Sequence, residues 1–244
     1  MKILVPIARI LNPDAKPSVD QDGISLLAPG FMPVMNPFDE VALTAAVTFK
    51  QASKASEVIA IGVGSEGYQD TLRSALAMQA DRAIWIKTED MPSLNEIVAS
   101  IAFFARQEKV DLLLCGKQSA DDDACCVPQM LSGLLDYPQI VSATTLDIAD
   151  HQVIATADYK KALATMTVTL PCVVGVDLLL CSPKFPSLGQ ILKSKKTPIE
   201  EHVLADCLNV PLPAVSLIKR EMVNDSTHCH YLDSVEELFD IIKQ

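Results

Sequence analysis

The sequence predicts an α/β fold, a parallel sheet with helices on both faces, extended by antiparallel strands and a C-terminal arm. Three observations carry this. Apolar runs alternate with amphipathic runs through the first 138 or so residues in the order β-α-β-α-β-α-β-α, the signature of a helix-wrapped parallel sheet. The first run, Lys2-Ile3-Leu4-Val5-Pro6-Ile7, is continuously apolar, as in a strand buried on both sides. Beyond about residue 138 the pattern changes to β-branched runs joined by short polar turns, which reads as antiparallel pairing.

After the first strand, residues 8–35 show no helical period and hold Pro13, Pro17, Pro29 and Pro33. This predicts a long ordered loop with one short strand near Ser25-Leu26-Leu27, and loops of that length are usually functional or lie against a partner. Asn36-Pro37 opens a helix: Asn is a favoured cap, Pro is favoured next, and Asp39 and Glu40 occupy the first turn. Phe38, Val41, Ala42, Ala45 and Phe49 form its apolar stripe. The second strand is 57–63. Gly62 to Gly67 spells GxGxxG, but a lone match is weak, and a tight strand-to-helix turn accounts for it. A helix over 68–78 and a strand over 82–87 come next. Ser93-Leu94-Asn95-Glu96 is a capping box for a helix reaching about Gln107.

The fourth strand runs from Asp111 into Gly116-Lys117-Gln118-Ser119-Ala120-Asp121-Asp122-Asp123-Ala124-Cys125-Cys126-Val127, with a helix expected over 124–135. Strand, glycine turn and helix start aim unpaired amides and a positive dipole end at one point, which suits a phosphate. In this reading one aspartate caps the helix, another bonds ribose hydroxyls, and Lys117 balances their charge. An acidic helix start without a ligand is the alternative these residues leave open. Ligands of such sheets bind beyond the carboxyl ends of strands. Pro6, Ile7 and Ala8, the cap at Asn36, Val63-Gly64 and the 116–127 turn would all meet there. The convergence favours a nucleotide at this Rossmann-like sheet over the ligand-free alternative.

Strands are expected over 142–148, 153–157, 164–169 and 172–180, with a turn at Asp150-His151-Gln152. The stretch 183–196, with Pro183, Pro186, Gly189, Lys193, Lys195 and Lys196, reads as an exposed excursion. The organisation is a nucleotide-binding domain over 1–198 and a C-terminal arm over 199–244, containing Pro211 and Pro213 and ending in a helix over 234–243 that wraps a partner or its own domain.

The chain has 244 residues, 49% hydrophobic and 21% charged, with a net charge of −11. A full core is available and disorder is not expected. Without a Lys/Arg cluster beside strand aromatics, nucleic acid is a poor partner. Seven cysteines at irregular spacing match no zinc pattern and read as reduced thiols of a cytoplasmic protein. The N-terminal run lacks a cleavage pattern, and no run approaches the roughly 20 residues that span a membrane. His228-Cys229-His230 has no further ligand nearby, and Asp121 to Asp123 would form an incomplete magnesium cage. No metal is expected. No GxSxG motif and no Cys/His pairing supports catalysis, so no catalytic residue is assigned.

Several ordered blocks match a known family: Met35-Asn36-Pro37-Phe38-Asp39-Glu40; Thr71 to Met78 with Ala80-Asp81-Arg82; Lys109 to Gln118; and Pro183-Lys184-Phe185 with Ile191 to Lys196. On these blocks the chain resembles the β subunit of electron transfer flavoproteins over about residues 1–200. The resemblance implies an electron-carrier subunit, not an enzyme, in a heterodimer with an α subunit that holds most of an FAD. It implies an AMP buried in this chain against Pro6, Ala8, Asn36, Pro37, Phe38, Asp39, Val63 and the turn Gly116 to Val127. It further implies electron entry from flavin dehydrogenases such as acyl-CoA dehydrogenases of fatty acid oxidation, and exit to an electron transfer flavoprotein-quinone oxidoreductase. The donor would dock on a recognition loop at about 183–196, anchored by Leu188.

The chain departs from the family pattern at Ala124, Cys125, Cys126 and Pro128, where polar residues and a glycine are usual. It departs again over Ala157 to Ala164, where an Arg-Glu-x-Asp-Gly-Gly-x-Glu pattern is missing. These departures raise two alternatives: a bifurcating or otherwise divergent β subunit with FAD in the AMP site, and a nucleotide-binding regulatory module without electron transfer.

Overall fold

The computed structural model describes residues 1–208, 217–222, 231–232 and 234–242. The chain divides into two units, residues 1–15 with 28–216, and residues 16–27 with 217–244. In chain order the elements are β1 (Lys2–Pro6), β2 (Arg9–Ile10), β3 (Ser18–Val19), β4 (Leu26–Leu27), β5 (Val34–Met35), α1 (Pro37–Gln51), β6 (Glu57–Gly64), α2 (Tyr68–Ala77), β7 (Arg82–Lys87), α3 (Leu94–Gln107), β8 (Leu112–Gly116), α4 (Val127–Leu135), β9 (Gln139–Ala149), β10 (Gln152–Tyr159), β11 (Ala162–Thr169), β12 (Cys172–Val176), α5 (Leu188–Lys196), β13 (Glu200–Val203), α6 (Leu204–Cys207) and α7 (Val235–Ile242).

The first unit is built on one mixed sheet in the order β11-β10-β9-β12-β8-β1-β6-β7-β13. Along the order from β9 to β13 each neighbouring pair is parallel, and at the far edge β10 pairs antiparallel with both β9 and β11. Strand alternation sorts the core into two layers. Val58 and Ala60 of β6 face one layer with Val41, Ala42 and Ala45 of α1 and Leu72 and Ala75 of α2. Ile59, Ile61 and Val63 face the other with Val98, Ile101 and Phe104 of α3 and Leu131 of α4. Helices therefore cover both faces.

Connectivity decides where a ligand can sit. From β1 the chain steps through β6 to β7 on one side, then returns through α3 to β8 on the other side of β1. The order thus reverses between β1 and β8, and their carboxyl ends open a crevice there. The opposite ends of the strands are tied by charge. Arg82 donates to both oxygens of Glu108 at 3.0 and 2.9 Å and to both of Glu200 at 2.6 and 2.8 Å. Lys2 joins Glu108 at 3.1 Å and Glu57 at 3.4 Å.

Several elements differ from expectation. Strand β12 stops at Val176 instead of running to 180, because Asp177 takes the Leu179 amide in a turn. The exposed excursion is a helix from Leu188: Ser187 and Gln190 form a reciprocal capping box that the run of lysines obscured. Residues 200–207, within the stretch assigned to the arm, form β13 and α6, and β13 pairs with β7. The long loop contains β2 and β5, which pair antiparallel.

In the second unit β3 pairs with β4, placing a strand at Leu26–Leu27. Asp22 accepts the Ile24 and Ser25 amides in its turn, and Arg220 donates to the Gly23 and Ile24 carbonyls. Pro211, Pro213 and His228-Cys229-His230 lie outside the described residues. Among those described, no helix is long and apolar enough to cross a membrane.

Candidate functional site

At the β1/β8 reversal the first unit encloses a cleft of about 190 Å³. Its apolar wall is Ile61, Val63, Leu94, Ile97, Ile101 and Val127; its polar side is Asn36, Asp39, Gln118, Ser119 and Asp122. Of the residues singled out by sequence, Pro6, Ala8, Asn36, Asp39, Val63, Gly116, Lys117, Gln118, Ser119, Asp122, Ala124, Cys126 and Val127 line it. Pro37, Phe38, Ala120, Asp121, Asp123 and Cys125 are not among the lining residues. Pro37 and Phe38 support it from the first turn of α1.

Close approach builds the floor. The carboxylate of Asp39, 6% exposed, accepts the Ala8 amide on Oδ2 at 2.8 Å and the Gly116 amide on Oδ1 at 3.1 Å. One side chain on α1 thus joins the ends of β1 and β8. A Cβ at Gly116 would fall on the Asp39 carboxylate and 2.7 Å from Phe38 Cβ, so only glycine fits. Burial pushes the Asp39 carboxyl up to about 7, while the bonds from Ala8, Asn36 and Gly116 pull it back.

Asn36 does not cap α1 with its side chain. It reaches across to the 116–127 turn instead, donating from Nδ2 to the Gln118 carbonyl at 2.9 Å and accepting the Ala120 amide at 3.3 Å. The cap position is retained because the Asn36 carbonyl accepts the Asp39 and Glu40 amides.

Three expectations about the turn are corrected. Helix α4 begins at Val127, not at 124, since Asp123 sits in the left-handed region at φ 54° and interrupts the approach. No aspartate caps α4; its N-cap is Cys126, without a side-chain bond. The aspartates brace the turn instead. Asp121 accepts the Ser119 hydroxyl at 2.7 Å, Asp122 the Ala124 amide at 2.9 Å, and Asp123 the Gln118 side chain at 2.8 Å. Lys117 does not offset that acidic run, because its ammonium pairs with Asp177 at 2.6 Å. Burial would raise the Asp177 carboxyl, but the bonds from Lys117 and the Leu179 amide outweigh it and hold it low.

Sequence reasoning missed Asp177, Tyr68 and the α3 residues Leu94, Ile97 and Ile101. A signal existed for Asp177, which follows the last apolar residue of a parallel strand, where ligands and their supporting groups gather. Tyr68 accounts for the first two glycines of the GxGxxG spelling. A Cβ at Gly62 would meet the Tyr68 ring at 2.7 Å, and one at Gly64 would overlap it. These glycines make room for a tyrosine, not for a pyrophosphate. Leu188 stands 72% exposed at the first position of α5, beside Phe185 at 97%.

Chemically, the cleft offers an apolar side, a polar edge and the start of α4 at Val127, where the first N–H groups of a helix lack intrahelical acceptors and Pro128 carries none. A family profile described as "Electron transfer flavoprotein domain" matches residues 33–207. The chain is 33% identical over 245 residues to "Electron transfer flavoprotein subunit beta" of Dictyostelium discoideum, covering 100% of this chain and 98% of that protein. It is 35% identical over 206 residues to the protein so named in Bradyrhizobium diazoefficiens, covering 84% and 83%. To "Electron transfer flavoprotein subunit beta, mitochondrial" of Arabidopsis thaliana it is 34% identical over 246 residues, covering 100% and 98%.

Proposed function

The chain belongs to the electron transfer flavoprotein β subunits, and from that premise we propose that it carries an AMP in the β1/β8 cleft and shelters an FAD held by an α subunit. It is an electron-carrier subunit and not an enzyme. The observation that carries the AMP assignment is the cleft at the strand-order reversal, with an apolar slot on one side and the polar turn leading into α4 on the other.

In this reading adenine lies against Ile61, Val63, Leu94 and Ile101. Asn36 and Asp122 border the ribose, and the phosphate points to the α4 start. Asn36, Ser119 and the aspartates keep the turn in shape. FAD, when bound by the α subunit, supplies the redox chemistry; this chain orders its surroundings and presents a docking face.

Exposed Leu188 and Phe185, beside the basic end of α5 at Lys193, Lys195 and Lys196, support docking of a flavin dehydrogenase through an apolar plug in a polar rim. Onward transfer to a quinone oxidoreductase completes the proposed path. The test is co-expression with an α subunit and rapid mixing with a reduced acyl-CoA dehydrogenase. The proposal expects a yellow heterodimer whose flavin is reduced; a colourless complex, or a flavin that no donor reduces, counts against it.

A further inference from the structure

We propose that Asp39 is the positioning residue of the cleft: its buried carboxylate clamps the ends of β1 and β8 by their amides and so sets the slot the ligand enters. The inference rests on the reading of that slot as an adenylate site. Ala8 and Gly116 frame it from beyond the paired part of the neighbouring strands β1 and β8, whose parallel ladder ends at Leu4 and Leu113. Asp39 bridges this gap, one oxygen to each amide, at 2.8 and 3.1 Å. The missing Cβ at Gly116 lets the two groups approach.

The charge on Asp39 is met by dipoles. Lys117, the cation of the turn, is engaged with Asp177. The titratable groups around Asp39 are Glu40 on α1, Tyr68 on α2 and Cys115 on β8. Burial raises the Tyr68 hydroxyl and the Cys115 thiol, which keeps both neutral, and Glu40 adds repulsion. Protonating Asp39 turns one accepting oxygen into a hydroxyl, and one of the two amides loses its partner. Repulsion of a bound phosphate by the carboxylate acts in the opposite sense. Each oxygen already faces an N–H donor, so that repulsion is muted and the clamp dominates. Nucleotide binding should therefore strengthen as pH rises through about 7.

The experiment uses the full-length chain in its native complex, stripped of nucleotide. AMP affinity and hydrogen exchange at the Ala8 and Gly116 amides are measured from about pH 5.5 to about pH 8.5, for wild type and Asp39→Asn. The expected wild-type affinity rises about tenfold beyond the change in Asp39→Asn, which binds weakly throughout. The phosphate of AMP, titrating at about 6, contributes alike to both proteins and cancels in the comparison. Both amides should exchange slowly only when Asp39 is ionised. Identical pH profiles in the two proteins, or wild-type affinity that falls with rising pH, would overturn the clamp. If wild type binds no AMP at any pH, the adenylate reading fails, while protection of the Ala8 and Gly116 amides that does not change with pH, once the intrinsic base-catalysed rate is divided out, would still refute the clamp. Wild-type exchange alone decides the matter if Asp39→Asn does not fold.

Discussion

Gly116 donates its amide to Oδ1 of Asp39 at 3.1 Å, and a methyl group on Gly116 would occupy the place of that carboxylate. The residue ending β8 and the residue in the first turn of α1 are therefore made for each other. Gly116→Ala must push Asp39 and Phe38 away, and such overpacking costs about 1–3 kcal/mol. Urea unfolding should show that loss, with AMP retention falling alongside. A variant as stable as wild type would mean that α1 shifts freely against β8.

Asp39 also gives stability a pH signature. Its folded value of about 7 lies above the ordinary 3.8, so between these values the folded chain holds a proton that the unfolded chain has released. Unfolding free energy should therefore fall as pH rises from about 4 to about 7, by about 4 kcal/mol in total at most. In Asp39→Asn this downward contribution should vanish. Equal slopes for both proteins in denaturant titrations would contradict the buried-carboxyl account.

Asn36 holds the turn through Gln118 and Ala120. Asn36→Ala removes both bonds and should cost about 1–2 kcal/mol. Hydrogen exchange should accelerate over residues 117–124 and remain unchanged over β6. Uniform acceleration across the sheet would instead mark Asn36 as a general fold determinant.

At the far end of the strands, the hydrogen bond from Arg82 holds the Glu108 carboxyl down at about 2. That contribution is complete above the ordinary 4.5 and disappears as pH falls through about 2. Arg82→Met should lower stability at neutral pH by about 2 kcal/mol and flatten the acid limb between those values. It should also release β13, read as faster exchange over Glu200–Val203. An acid limb identical to wild type would place the acid sensitivity elsewhere.

For the docking face, Leu188→Ala truncates an exposed side chain with no core role. Electron entry from an acyl-CoA dehydrogenase should slow by about tenfold or more, with flavin content and melting temperature unchanged. An unaltered rate would remove Leu188 from the contact.

The parallel sheet was legible because its strands are continuously apolar and its helices carry clear caps, as at Asn36-Pro37 and Ser93 to Glu96. The cleft was legible in outline, since reading the carboxyl ends of strands together pointed to Ala8, Asn36, Val63 and Gly116 as neighbours. What stayed hidden depends on side-chain direction. The aspartates of the 121–123 run bond their own turn, a choice that composition does not encode. Lys117 turns to Asp177, some 60 residues away in the chain. The edge position of β13 depends on Arg82 meeting Glu200, a long-range pairing without local periodicity. Helix α5 was missed for a nearer reason: its lysines suggested a solvated loop, although Ser187 and Gln190 stand at capping-box spacing.

The most direct test counts what the purified complex contains. Gentle denaturation of the co-expressed heterodimer, followed by mass spectrometry and absorbance of the released small molecules, should yield one AMP and one FAD per pair of chains. A complex that releases two flavins and no AMP, or a chain that purifies alone with no adenylate, would contradict the account.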